Sequence, residues 1–231
     1  MKQPTWNCSV TCPSRKAGLF NGLNKPCWDY VQGGKTSNVY RARQTIYYEG
    51  NKAFGIYCLT AGKIKLYRSG RSGRQQINHI AKPGEILGVP ALLGNTPYLE
   101  TAETLEECKV CFIEKTVFLA SIKMDFALVE NLLSSLSREV GTTLSRLESA
   151  VQKPVRGRVA ELLCGLMKDS PSPDGSLEIT LSRTELAELA DTAQETVIRT
   201  LKEFARQKYI SIDGKNIRIL QPEVLTKLAA G

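Results

Sequence analysis

The segment from residue 180 to residue 220 restricts the fold more than any other part of the chain. Ser182 and Glu185 form a Ser-x-x-Glu pattern, and Thr192 and Glu195 form a Thr-x-x-Glu pattern ten residues later. Such a pattern is typical of a helix start, where the two side chains satisfy backbone amides of the first turn. Two capped helix starts this close leave room only for a tight turn, so the segment predicts a helix-turn-helix.

A hairpin pattern follows the predicted pair of helices. Residues 209–212 and 217–219 alternate on either side of Asp213-Gly214. Alternation around Asp-Gly indicates a β-hairpin, and the hairpin completes a winged helix-turn-helix. The second helix of such a unit lies in the major groove of DNA, with its first residues at the base edges.

The polar face of the second helix carries side chains suited to contact DNA. Arg199 can donate two hydrogen bonds to guanine, Glu195 can accept one from a cytosine amino group, and Ile198 can touch a thymine methyl group. Lys202 suits a phosphate contact. The residues predicted to contact DNA are Gln194, Glu195, Thr196, Ile198, Arg199, Lys202, Ser182 and Arg183.

The hydrophobic periodicity changes twice before this unit. Between residues 35 and 118, short alternating segments end at turn residues, which predicts an antiparallel roll or sandwich. From residue 125 to residue 151, a narrow apolar seam indicates one long helix. Its length, and its place between a β domain and a helical domain, favour an interface between two chains over packing within its own domain. The seam consists of Val129, Leu133, Leu136, Val140, Leu144, Leu147 and Val151.

These changes predict an α+β protein in four parts. They are a cysteine-bearing N-terminal arm (1–34), a β-roll (35–124), a dimerisation helix (125–151) and the winged unit (152–231). The last part includes a helix over 155–168 and then a loop.

The net charge of the chain is weak evidence for DNA binding, because the charge is unevenly distributed. The net charge is +8, but residues 1–82 carry a balance of +12 and residues 152–231 only +1. The predicted DNA-reading unit is therefore nearly neutral, and global charge is not the argument for DNA binding.

We found neither an apolar stretch long enough to span a membrane nor a signal-peptide core, so we expect a cytoplasmic protein. Seven cysteines in such a chain argue against a disulfide framework, and leave metal binding, redox chemistry and burial as alternatives.

Four stretches resemble the CRP/FNR family of transcription regulators, and the resemblance covers nearly the whole chain. It implies a β-roll sensor of the cyclic-nucleotide-binding kind, a dimerisation helix and a winged reader. It further implies a homodimer on palindromic double-stranded DNA that contacts RNA polymerase. The stretches are Ala-Gly-Lys-Ile-Lys-Leu at 61–66, Pro-Gly-Glu-Ile-Leu-Gly at 83–88, Leu-Ser-Arg-Thr-Glu-Leu-Ala at 181–187 and Gln-Glu-Thr-Val-Ile-Arg at 194–199.

Within that family, Glu195 and Arg199 match the pair that reads half-sites containing TGA. Ile198 stands where oxygen-sensing members often have serine. The outer bases of the operator half-site are therefore expected to depart from the usual family sequence.

The resemblance also bears on the effector. Family members that bind cyclic nucleotides carry an acidic residue just after the turn at Gly88 and an Arg-Ser or Arg-Ala pair about ten residues later. Here Val89 takes the first place, and residues 97–101 contain Glu100 but no arginine. A cyclic phosphodiester would meet a carboxylate and no cation, so we expect that cyclic AMP is not the effector.

The oxygen-sensing members instead hold an iron–sulfur cluster on cysteines, and several cysteines here match that plan. The predicted ligands of a [4Fe–4S] cluster are Cys8, Cys12, Cys27 and Cys111, with Cys108 as the alternative to Cys111. The pattern departs from the family, because Cys8 and Cys12 are separated by three residues instead of two. In addition, Gly18 takes the place of the expected third cysteine. Cys27 must then substitute, unless the fourth ligand is unusual.

Other interpretations remain open at this stage. The same fold could be controlled by a thiol/disulfide switch that uses Cys8 or Cys12, by haem bound to His79, or by no cofactor at all. Cys58 and Cys164 lie among apolar neighbours and are interpreted as buried packing residues. A cysteine-based redox enzyme is disfavoured, because the chain lacks a Cys-x-x-Cys motif, a βαβ pattern and a nucleotide-binding glycine fingerprint. We therefore expect that the protein is not an enzyme.

Overall fold

The computed structural model describes residues 12–70, 75–169, 176–177, 181–214 and 216–230. The chain divides into two compact units, and the division falls inside a long helix between Val140 and Gly141. The elements up to that helix are α1 (Pro13–Lys16), α2 (Lys25–Gly33), β1 (Lys35–Tyr40), β2 (Thr45–Tyr47), β3 (Gly55–Ala61), β4 (Ile64–Ser69), β5 (Gln75–Ala81), β6 (Ile86–Leu87), α3 (Val89–Leu93), β7 (Thr101–Thr104), β8 (Cys108–Glu114), α4 (Lys115–Met124) and α5 (Phe126–Gln152).

The strands form two four-stranded sheets, in the orders β1-β8-β3-β6 and β2-β7-β4-β5. Strand β8 pairs antiparallel with both β1 and β3, so it is an interior strand. The predicted antiparallel roll is confirmed. The sequence analysis did not predict strand β1, because its first four residues, Lys-Thr-Ser-Asn, are polar. As the edge strand of its sheet, it is only half-buried.

The N-terminal segment is not a separate arm in its described part. Phe20, Trp28 and Val31 are buried in the same core as β3 and β8. Helix α2 begins at a cap that the sequence supplies locally, since the Asn24 side chain accepts a hydrogen bond from the Cys27 amide. Residues 12–34 therefore cover one face of the β1-β8-β3-β6 sheet.

Helix α5 has 27 residues, and its bounds differ from the predicted 125–151 by one residue at each end. Leu128 and Leu132 pack into the core of the first unit. In the described residues, no helix is both long and apolar enough to cross a membrane. Five apolar seam residues are 59–78% exposed in the single chain: Leu133, Val140, Leu144, Leu147 and Val151.

The second unit contains the predicted winged helix-turn-helix. A third strand, β9, joins the predicted hairpin, although the sequence pattern indicated a loop there. The closing helix α9 was also not predicted. The elements are α6 (Val155–Asp169), β9 (Ser176–Leu177), α7 (Arg183–Leu189), α8 (Gln194–Arg206), β10 (Ile210–Asp213), β11 (Asn216–Ile219) and α9 (Pro222–Ala230).

The two predicted helix caps have different outcomes. Ser182 and Glu185 form the full capping box of α7. The second prediction is wrong, because α8 begins after Ala193, whose side chain accepts no capping hydrogen bond. Asp191 adopts a left-handed conformation with φ of 49°, and the Thr192 amide turns back to the carbonyl of Ala187. The tight turn thus moves the helix start one residue beyond Thr192.

The turn between β3 and β4 yields a stability prediction. Gly62 has φ of +91°, and a Cβ there would lie 2.5 Å from the Cys108 Sγ; Gly50 has φ of +85°, with open space where its Cβ would lie. Gly50→Ala is expected to cost about 1–3 kcal/mol of backbone strain. Gly62→Ala should cost more, because the Cys108 Sγ and the Glu107 carbonyl, each 2.5 Å from the added Cβ, must also move. Urea unfolding measures both losses. Equal losses would contradict the close packing of Cys108 beneath this turn.

Candidate nucleic-acid interface and cysteine site

Helix α8 presents one buried and one exposed face. Val197, Leu201 and Phe204 are buried, and these positions lie on one side of a helix. Exposed on the other side are Gln194, Glu195, Arg199 and Lys202, whereas Thr196 and Ile198 are half-buried. The structure therefore brings six of the eight predicted DNA-contacting residues onto one helix.

The other two predicted residues have structural partners. The Ser182 hydroxyl accepts from the Glu185 amide and donates to the Glu185 carboxylate. Arg183 donates to the carbonyl of Gly214 in the wing at 3.0 Å, and burial lowers the pKa of its guanidinium. The two residues therefore cap α7 and join it to the wing, whether or not they also reach DNA.

Two residues that the sequence analysis missed position the reading helix. The Thr184 hydroxyl donates to Gln194 Oε1 at 3.2 Å, across the helix pair. Arg158, on α6, donates to the carbonyls of Ala190 and Asp191, both at 3.0 Å, and of Lys153 at 2.9 Å. No sequence pattern marks an arginine that binds main-chain carbonyls more than thirty residues away. Arg158 therefore anchors the tight turn before α8.

Arg158→Met keeps the apolar stem of the side chain and removes these three hydrogen bonds. We expect it to lower the free energy of unfolding by about 2 kcal/mol, because partly buried carbonyls lose a charged donor. Arg199→Met, on an exposed part of α8, should stay within about 0.5 kcal/mol of the wild type. Urea unfolding followed by circular dichroism provides the comparison. A loss at Arg158 no greater than that at Arg199 would show that the turn does not depend on this anchor.

The cysteine site begins with a row across three strands. Ser37 on β1, Cys111 on β8 and Cys58 on β3 are direct cross-strand partners. The Ser37 Oγ and Cys111 Sγ atoms lie 3.4 Å apart. Cross-strand partners project from the same face of a sheet, so the row faces the N-terminal segment.

A small cavity lies over this row. The space within it that the centre of a water molecule can occupy is about 10 Å³. This is enough for one water molecule. Lys35 lines it, and the Nζ atom of this lysine is buried without a hydrogen-bond partner among the described residues. The lining residues are Cys12, Phe20, Trp28, Val31, Gln32, Lys35, Cys58, Cys111 and Ile113.

The electrostatics of the cavity depend on Cys58. Burial raises the pKa of the Cys58 thiol well above its ordinary value. Proximity to Cys111 and Cys12 raises it further, while the Lys35 ammonium lowers it. Within the described part of the chain, however, no three potential ligand side chains are already arranged around one metal position.

The other predicted ligands lie elsewhere. Cys27 Sγ donates to the carbonyl of Ser121 on α4 at 3.6 Å, and burial, with a smaller contribution from Asp125, raises its pKa. Cys108 Sγ donates to the Lys63 carbonyl at 3.3 Å, and burial raises its pKa to about 11. Cys8 lies outside the described residues. The structure thus brings Cys12 and Cys111 together, and adds Cys58, which the sequence analysis interpreted as packing.

Two further sequence interpretations can be compared with the structure. A Cβ at Gly18 would lie 2.5 Å from the Gly84 carbonyl, so this position has no room for the family's third cysteine. His79, the candidate haem ligand, is hydrogen-bonded to the Glu85 carboxylate.

The region expected to exclude a cyclic nucleotide centres on Glu100. Asn78 donates to its carboxylate at 3.3 Å. Burial raises the pKa of Glu100 and the Glu139 carboxylate raises it further, while Asn78, His79 and Arg68 lower it. Tyr98 fills the adjoining interior, stacking on Tyr47 with ring centres 4.0 Å apart.

These features define a winged helix-turn-helix regulator with a β-roll sensor, and comparison with known proteins agrees. The family model described as "Cyclic nucleotide-binding domain" matches residues 37–125, and "Crp-like helix-turn-helix domain" matches residues 157–228. The chain belongs to the CRP/FNR family of transcription regulators. It is a DNA-binding transcription regulator and not an enzyme.

Relatives over nearly the whole chain agree with this membership, and a solved structure shares the fold. The "CRP-like cAMP-activated global transcriptional regulator" of Mycobacterium tuberculosis is 26% identical over 217 residues, covering 93% of this chain and 97% of the relative. The "Transcriptional activatory protein AadR" of Rhodopseudomonas palustris is 26% identical over 228 residues, covering 97% and 94%. The fold is similar to that of FixK2 from Bradyrhizobium japonicum, with a TM-score of 0.77, 22% identity, and coverage of 85% of this chain and 98% of that chain.

Proposed function

We propose that this regulator reads palindromic DNA as a homodimer, under the control of an iron–sulfur cluster on cysteines of the β-roll. The observation that carries the proposal is the convergence of Cys12, Cys58 and Cys111 on one cavity beside the buried Lys35 ammonium. Thiolates are the usual ligands of iron–sulfur clusters. The cluster would supply a centre sensitive to oxygen or nitric oxide.

The lining residues have side chains that suit an iron–sulfur cluster, but the cavity is too small to hold one. Three thiols and a cation suit an anionic centre, and Cys8 precedes Cys12 by four positions. The cavity has room for only one water. The three thiols are also not arranged around one metal position. A cluster would therefore require the lining elements to rearrange, and we propose that α1 moves away from the sheet when a cluster binds.

Contacts between that segment and α5 offer a route to the rest of the protein. Asn131, on α5, donates to the carbonyls of Leu19 at 3.0 Å and Asn21 at 2.7 Å. Asp125, which precedes α5, accepts from the Asn24 amide at 2.7 Å. Displacement of α1 would strain these bonds, and so favour one arrangement of the dimer helix over another.

The exposed seam of α5 is the proposed dimer interface. A second copy of the chain would cover the same apolar residues on both helices, as in a symmetric isologous contact. Two copies of α8 would then enter successive major grooves of a palindrome. We further propose that the regulator acts in the cytoplasm and contacts RNA polymerase there.

We propose that cyclic AMP does not control this protein, although relatives named for cyclic AMP activation match it. The supporting observation is the half-buried Glu100 carboxylate in place of an arginine. An anionic phosphodiester would be repelled there when the carboxylate is ionised.

The DNA-reading role of Arg199 can be separated from simple charge attraction. Arg199→Ala is expected to weaken operator binding by about 1–3 kcal/mol while changing random-DNA binding much less, because a base contact is lost. Lys202→Ala serves as the matched control and should weaken both similarly, lowering the salt slope by about one. Fluorescence anisotropy over a salt series measures both constants. An equal loss on operator and random DNA for Arg199→Ala would make it a phosphate contact.

The cluster itself is tested by purifying the protein without oxygen. Wild-type protein should contain iron and sulfide, and exposure to air should change operator affinity. Cys111→Ser should remove the iron and this response. Cys164→Ser, in the other unit beside Thr226, should keep both. Wild-type protein with neither iron nor sulfide would exclude the cluster.

A thiol/disulfide switch is a second candidate, because Cys58 and Cys111 face each other across β3 and β8. Directly paired strand residues have Cα atoms about 4.5–5.5 Å apart, within the range of disulfides. Hydrogen peroxide would take two electrons and two protons from the thiols as the S–S bond forms. Mass spectrometry of the iron-free protein would detect that linkage.

A further inference from the structure

We propose that Thr184 sets the base preference of Gln194, so that this glutamine reads guanine where a glutamine without such a partner would read adenine. The inference deepens the proposed reading of DNA by α8 and rests on it. It concerns one side chain of the reading helix and the residue that holds it, and it does not depend on what controls the regulator.

Thr184 and Gln194 lie at the N-terminal ends of the two helices of the reading unit. Thr184 is in the first turn of α7, and Gln194 is the first residue of α8. The Thr184 hydroxyl donates to Gln194 Oε1 at 3.2 Å, and among the described residues this is the one hydrogen bond of the Gln194 side chain. Both residues are exposed, so Gln194 is accessible to DNA while Thr184 holds it.

The two helix starts are fixed by other contacts. The capping box of Ser182 and Glu185 fixes the start of α7, and the Arg158 guanidinium holds the turn that leads into α8. The backbone therefore brings Thr184 and Gln194 together, and their bond needs little further ordering. A side chain held in this way by a neighbouring hydrogen bond presents its polar atoms to a ligand in a defined orientation.

The bond separates the two functional groups of the glutamine amide. A glutamine reads adenine with both groups, because its oxygen accepts from N6 and its nitrogen donates to N7. Here the oxygen is directed to the Thr184 hydroxyl, and the amino group is the part that remains to face a base. Guanine presents two acceptors, N7 and O6, in the major groove. The amino group of Gln194 therefore fits guanine, whereas adenine presents a donor whose partner oxygen Thr184 holds away.

A bond that only joined α7 to α8 would have a different effect. A neutral hydrogen bond contributes little net stability, and the buried residues Leu186, Val197 and Leu201 already give the two helices an apolar interior. Loss of a merely structural bond would change the affinity for every DNA sequence by a similar factor. A role in specificity instead changes the preference at one base position and leaves the other positions as they were.

The test selects sequences from a random DNA library with the full-length protein, in the anaerobic or the air-exposed preparation, whichever binds DNA more tightly. The position at which Gln194→Ala loses selectivity is the position that Gln194 reads. There the wild type should prefer guanine to adenine by about 10-fold, as for one well-placed base contact. Thr184→Val should lower this ratio by about 10-fold, because the amide oxygen is released to accept from adenine. Thr184→Ser, which keeps the hydroxyl, should retain the wild-type ratio.

Fluorescence anisotropy with two operators that differ only at this position measures the ratio, and circular dichroism checks the folding of each variant. If Thr184→Val does not fold, the wild-type ratio and that of Thr184→Ala provide the test. An unchanged ratio in the folded variant, a wild-type preference for adenine, or no position that depends on Gln194 would each overturn the inference. Selectivity that still depends on Arg199 would then leave the proposed reading by α8 intact. A library that yields no selected sequence would refute the proposed reading and this inference together.

Discussion

Strand β8 lies between β1 and β3, and the registers of these two pairings determine where the cysteine site lies. They place Cys111 between Ser37 and Cys58, on the face that the N-terminal segment covers. A slip of one residue would turn Cys111 to the opposite face. The buried apolar residues of β8 on both faces, such as Val110 and Ile113, hold the register.

The N-terminal segment therefore has two roles in one structure. Its aromatic residues Phe20 and Trp28 complete the core over the sheet, and Cys12 brings a third sulfur to the same place. Asn131 joins the segment to α5. A change in the cavity would thus act on residues that also contact the start of α5, which is what the proposed control by the cysteine site requires.

In the second unit, geometry matters more for reading DNA than net charge does. The unit is nearly neutral overall, yet α8 exposes Glu195 and Arg199 on one face. Arg158 and the left-handed Asp191 hold the turn before that helix. Placing a few base-contacting groups accurately supplies specificity that a general positive charge does not.

The sequence by itself determined the features that depend on neighbours along the chain. Alternation predicted the roll, the apolar seam predicted α5 within one residue, and Ser182 with Glu185 located the start of α7, because periodicity and capping are local properties. Only the tertiary structure decided that Cys58, and not Cys27, lies opposite Cys111. That pairing joins residues more than fifty positions apart, and local patterns specify which way a side chain points but not which strand lies beside it.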